Sequence, residues 1–108
     1  MKQSEIRINV ELDDKNVPEK IFWAAEDLDN KVTEAKALNI SVWEHSKRET
    51  LRLELWTKDM PVDEMKLFFH QTLVSMTQTF VRATQDEKMG ATMKDFTDYF
   101  AEKLELKA

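Results

Sequence analysis

Cysteine is absent from this chain of 108 residues, which excludes disulfides, thiol catalysis and thiolate metal sites. Glycine occurs once and proline twice, so a glycine-rich phosphate-binding loop is impossible; no nucleophile elbow or zinc-protease motif is present either. A basic cluster is also missing. Residues 1–57 carry 9 basic and 12 acidic side chains and residues 58–108 carry 7 and 9, for a net charge of −5 and a pI near 5.1. Nucleic-acid binding draws on clustered Lys and Arg to displace condensed counterions, and anionic membrane surfaces attract the same residues, so both partner classes are disfavoured. The longest apolar run, Ile21 to Ala25, falls far short of the roughly 20 residues that span a bilayer. The N-terminal MKQSEIRINV enters polar and apolar alternation directly, with no apolar block to serve as a signal-peptide core, and the cytoplasm is the expected compartment.

The composition that remains is that of a folded domain. Hydrophobic residues make up 42% of the chain, enough for one core, and the 34% of charged residues suits a small protein with much surface for its volume. A single domain over residues 1–108 is expected. Ile6, Ile8, Val10 and Leu12 alternate with Glu5, Arg7, Asn9 and Glu11, the period of two of a half-buried strand. Asp13 to Asn16 offers turn chemistry, Pro18 restricts Val17 to extended backbone, and a second strand is expected from about Glu19 to Ala25. The acidic, weakly periodic stretch from Glu26 to Glu34 reads as a longer loop. Leu38, Ile40 and Val42, then Leu51, Leu53 and Leu55, form a hairpin around Ser46 to Glu49. Pairing Glu44 with Leu51 sets Val42 opposite Leu53 and Ile40 opposite Leu55, with all six aliphatic residues on one face.

Pro61, with Asp63 and Glu64 behind it, opens a helix that runs to about Thr84, with an apolar stripe through Val62, Met65, Phe69, Leu73, Met76, Phe80 and Ala83. Asp86 caps a second helix carrying Met89, Met93, Phe96, Phe100 and Leu104 and ending in the lysines of EKLELKA. Gly90 in its first turns costs about 1 kcal/mol relative to Ala, which close helix packing or a late helix start would explain. The expected fold is α+β: a four-stranded antiparallel sheet followed by two C-terminal helices packed on one face.

No residue pattern carries catalysis, a metal or a cofactor. His70 lacks a carboxylate or histidine at the i±4 positions, and His45 sits near a turn without a motif. Asp95, Asp98 and Glu102 share a helix face with Lys94 and Lys103 beside them, the look of a solvated surface. The chain therefore reads as non-enzymatic. Trp43 and Trp56 are different: both fall on the hairpin face opposite the aliphatic residues, where Trp43 would face Arg52 and Trp56 would face Asn39. Cross-strand packing with a Trp43–Arg52 cation–π contact would explain them, and so would a docking patch made of Trp43, Trp56, Arg52 and Phe22. A second helical seam, Leu67, Val74 and Val81, calls for burial against the second helix or a partner. A small apolar ligand held between sheet and helices among Met65, Met76 and Met93 is the alternative function.

The segment LWTKDMPVDEMKLFFHQTLVSM at residues 55–76, with RATQDEKM at 82–89, KDF at 94–96, DYFAEKL at 98–104, and the N-terminal SEIRINVEL, VPEKIFW and LNISVWEH, resembles the GldC family of gliding-motility proteins of Bacteroidota. The loop from Glu26 to Asn30 departs from it, since similar proteins tend to carry glycine there. The resemblance implies an accessory protein of gliding motility, a surface-adhesin transport process associated with type IX secretion, whose partner would be a protein of that machinery or a second copy. It implies no reaction, and it transfers no catalytic or ligand residues.

Overall fold

Alternation places β1 at Ile6–Leu12 and β2 at Pro18–Ala25 in the computed structural model, which describes residues 1–106. The two strands pair antiparallel, with Ile6, Ile8 and Val10 opposite Ala25, Trp23 and Ile21 on one face and Arg7 and Asn9 opposite Ala24 and Phe22 on the other. Ile21 is completely buried. A bulge between Glu11 and Leu12 leads into the turn, where Asn16 adopts a left-handed φ of 62°. Asp13 organises that turn: its Oδ1 accepts the Lys15 and Val17 amides at 2.8 and 3.0 Å, and its Oδ2 accepts Lys58 Nζ at 3.0 Å.

The segment read as loop contains structure. A 3-10 turn at Glu26–Leu28 is followed by Asp29 and Asn30, both left-handed with φ of 58° and 55°, a region that Asp and Asn tolerate better than most residues and glycine better still. β3 then spans Thr33–Ala35 and pairs with β2, setting Ala35 opposite Ile21 and Thr33 opposite Trp23. Three residues, mostly polar, leave no periodicity from which to read a strand.

In place of the expected four-stranded sheet, the described residues form five strands in two sheets, β1-β2-β3 and β4-β5, with β4 at Ala37–Trp43 and β5 at Thr50–Trp56. The reason lies at Lys36. The chain bends there, so β3 pairs with β2 on one side of the bend and β4 pairs with β5 on the other. At the base of the hairpin the Thr57 amide donates to Lys36 O at 2.8 Å and the Lys58 amide to Pro18 O at 3.1 Å, tying the end of β5 to the start of β2.

The hairpin register also differs, by two residues. Val42 faces Leu51, Ile40 faces Leu53 and Leu38 faces Leu55, so the aliphatic set keeps one face but each partner has moved. Glu44 causes the shift. Instead of pairing with Leu51, it closes the loop: its amide donates to Glu49 O at 3.0 Å, and its carboxylate accepts the Ser46 and Lys47 amides at 2.8 and 2.5 Å. With Arg48 left-handed at φ 54°, the turn closes sooner than composition suggests.

Three carboxyls in these turns are held below their ordinary values: Asp13 by the Val17 amide first and then by Lys58, Glu44 by the Ser46 and Lys47 amides, and Asp59 by the Thr57 hydroxyl at 2.6 Å. A carboxyl depressed on folding stabilises the fold fully above its unfolded pKa, 3.8 for Asp and 4.5 for Glu, and loses that contribution as pH falls through the folded value. The urea midpoint is therefore expected to fall on acidification from pH 5 towards pH 2, and Asp13→Asn should flatten part of that slope. Equal slopes in wild type and variant would count against the Asp13 turn as a contributor.

The residues from Pro61 onward form a compact unit separate from residues 1–60. α1 spans Val62–Thr84, with Pro61 at its N-cap and Asp63 and Glu64 in its first turn, where the helix dipole favours negative charge. Gln85 ends it in a left-handed conformation, its amide donating to Val81 O. Asp86 then caps α2, Glu87–Lys103, by accepting the Met89 amide at 2.9 Å. Lys103 lies in its last turn, while Lys107, read from sequence as part of the same basic end, lies outside the described residues.

Val74 and Val81 of the second seam line a groove shared with Gly90, Ala91 and Thr97 of α2, and His70 stacks on Phe100 with ring centroids 6.2 Å apart. Gly90 and Thr97 are buried. Close approach accounts for the glycine: a Cβ at position 90 would run into Val81 Cγ2.

Candidate functional site

The four residues read from sequence as a docking patch are spread over both sheets: Trp43, Arg52 and Trp56 share one face of the β4-β5 hairpin, and Phe22 lies on β2. Trp43 faces Thr50 beside the hairpin loop, whereas Trp56 faces Ala37 at the hairpin base. Six positions of β5 separate those two ends, about 20 Å at strand rise. Arg52 faces Ser41, and its guanidinium pairs with Glu54 of its own strand at 3.2 Å, not with Trp43. Phe22 belongs to the other sheet, half-buried between Asn9 and Glu34. The expected pairings of Trp43 with Arg52 and Trp56 with Asn39 fall with the two-residue register shift.

What remains is the hairpin tip. Trp43 is 62% exposed on one face, and the cross-strand pair Val42 and Leu51 is 51% and 57% exposed on the other. Both faces of the tip are thus apolar, with Leu53 exposed one pair farther in. Trp56 has a different setting: with Val17, Pro18, Glu54 and Leu55 it borders a shallow cleft of about 240 Å³. Sequence reading found the tryptophans but missed Val42 and Leu51, because the aliphatic face as a whole reads as core.

Among the described residues the two histidines lie on separate elements, far apart in sequence. His45 is exposed in the hairpin loop, and His70 is half-buried against Phe100. Asp98 accepts Lys94 Nζ at 2.8 Å one turn away, an exposed pair of the kind that contributes little. Among the described residues no group of three or more His, Asp or Glu side chains is placed to hold a metal ion. Of the methionines assigned to an apolar ligand, Met76 lies with Phe68 and Phe80 along an open groove of α1, about 530 Å³. Among the described residues no helix is long and apolar enough to cross a membrane.

Comparison with known proteins supplies what this geometry lacks. No curated protein and no solved structure matches the chain. A family profile described as gliding motility-associated protein GldC-like matches residues 18–106, from the first residue of β2 to beyond the end of α2. That match takes in most of the sequence, and the chain belongs to the GldC-like family of gliding motility-associated proteins.

Proposed function

We propose that this chain is a non-enzymatic, cytoplasmic accessory protein of gliding motility that works by docking another protein of the gliding or type IX secretion machinery through the hairpin tip. The observation that carries the reading is the tip itself, where Trp43, Val42 and Leu51 present apolar side chains on both faces of a two-stranded arm. Interface anchors are enriched in tryptophan, and an exposed apolar patch of this kind gains most when a partner excludes water from it. Family membership supports the motility setting.

Trp43→Ser leaves the β4-β5 ladder and its aliphatic face in place, so the variant should fold. Crosslinking in gliding cells should then join a specific machinery protein to wild type and to Trp56→Ser, and lose it in Trp43→Ser. A partner retained in Trp43→Ser would remove the tip from consideration.

The same reading holds residues 1–108 to be one cooperative domain. The two units hold 60 and 48 residues, sizes at which a domain is marginal on its own, which favours folding together.

A further inference from the structure

β1 lies at an edge of its sheet, bonded to β2 on one side. The Glu26 amide donates to Glu5 O at 3.1 Å, a bond that flanks the Ile6–Ala25 pair and fixes the phase of the ladder. Arg7, Asn9 and Glu11 therefore direct their backbone groups towards β2. The N–H and C=O groups of Ile6, Ile8 and Val10 point away from the sheet, along its open edge. Edge strands are commonly blunted by charged side chains, lysine above all, by proline or by a bulge. β1 contains no Lys or Pro, and its one bulge is at the far end, between Glu11 and Leu12.

We propose that β1 pairs antiparallel with β1 of a second copy about a two-fold axis through Asn9, joining two three-stranded sheets into one. The strand is its own complement in that register. Arg7 falls opposite Glu11 of the second copy and Glu11 opposite its Arg7, while Ile8 and Val10 face each other reciprocally on the other side of the sheet. A two-fold interface requires this: whatever residue i meets in j, j must meet in i. The outward backbone groups of Ile8 and Val10 then exchange hydrogen bonds across the axis. The apolar row of Ile6, Ile8 and Val10, with Ile6 69% exposed, continues into the same row of the copy.

Neighbouring registers are worse. Shifting by one residue sets apolar side chains against polar ones throughout. Centring on Ile8 brings Glu5 against Glu11, and centring on Val10 draws the pairing through the bulge. Arg7 is engaged within its own chain, by Glu5 Oε1 at 2.9 Å and Asn30 Oδ1 at 3.3 Å. That pair is exposed, and a guanidinium has donors to spare.

The proposal rests on the interaction reading and names one partner within it, a second copy. Sedimentation equilibrium over a concentration series tests it, with circular dichroism as the check on folding. Wild type should approach twice its 12.8 kDa mass. Arg7→Glu sets like charges opposite each other twice and should raise the dissociation constant about tenfold or more, and Asn9→Lys does so once, at the axis, and should raise it about three- to fivefold. Arg7→Glu/Glu11→Arg restores opposite charges and should dimerise like wild type. A wild type that stays monomeric, a dimer indifferent to Arg7→Glu and Asn9→Lys, or a double swap that stays dissociated would each overturn the pairing. The tip is scored separately: Trp43-dependent crosslinking without a dimer rejects only the strand pairing, and a charge-dependent dimer without that crosslinking rejects only the tip.

Discussion

Truncating Ile21 to alanine is expected to lower the unfolding free energy by about 2 to 5 kcal/mol, the range for deleting a fully buried aliphatic side chain. Ile21 has no exposed surface, sits on the central strand of its sheet and is flanked by Val10 and Ala35, so no neighbour can readily fill the space it leaves. The readout also tests the single-domain proposal. Trp23, Trp43 and Trp56 all lie in residues 1–60, while α1 and α2 both follow Pro61. Tryptophan fluorescence thus reports on the strands and ellipticity at 222 nm mainly on the helices. One cooperative domain predicts that both transitions coincide in wild type and move together in Ile21→Ala. If fluorescence alone shifts, residues 1–60 unfold independently of the helices.

Gly90→Ala should destabilise the helical hairpin although alanine is the better helix former. Propensity alone favours alanine by about 1 kcal/mol. Against this, the new methyl would overlap Val81 Cγ2, and a β-branched side chain has little freedom to rotate away. Overpacking of this kind costs about 1 to 3 kcal/mol, so after the propensity gain a net loss of up to about 2 kcal/mol is expected. The double-mutant cycle isolates the cause. With Val81→Ala in place the overlap disappears, and Gly90→Ala should become neutral or stabilising. A cost that persists in the Val81→Ala background would mean that Gly90 is required for its backbone and not for its missing side chain.

Much of this fold was legible in the sequence because its periodicities are long. β1, β2 and both helices follow directly from spacing, and Asp86 caps α2 as its side-chain chemistry suggests. β3 was too short to show a period, and the two other failures each depended on a turn. Composition did not reveal that the chain bends at Lys36 between β3 and β4, which belong to different sheets. Nor did it reveal that the Glu44 carboxylate holds the hairpin loop, which moves the turn one residue earlier and shifts the register by two residues. A two-residue shift keeps every side chain on its face, so hydrophobic patterning is blind to it.

The candidate site suffered most from that blindness. In the expected register Trp43 and Trp56 stood four positions apart along β5, close enough to suggest one patch, and in the observed register six positions separate them. The exposed partners of Trp43, Val42 and Leu51, were hidden in plain view among the apparent core residues. Their exposure is a property of the folded chain and cannot be read from residue type.

The most direct test of docking in motility is complementation in a gliding bacterium whose own copy of this gene has been deleted. Cells expressing wild type or Trp56→Ser should recover gliding, while Trp43→Ser, folded and present at the same level, should restore little or none. Full recovery with Trp43→Ser would contradict the claim that the hairpin tip is where this protein engages the machinery.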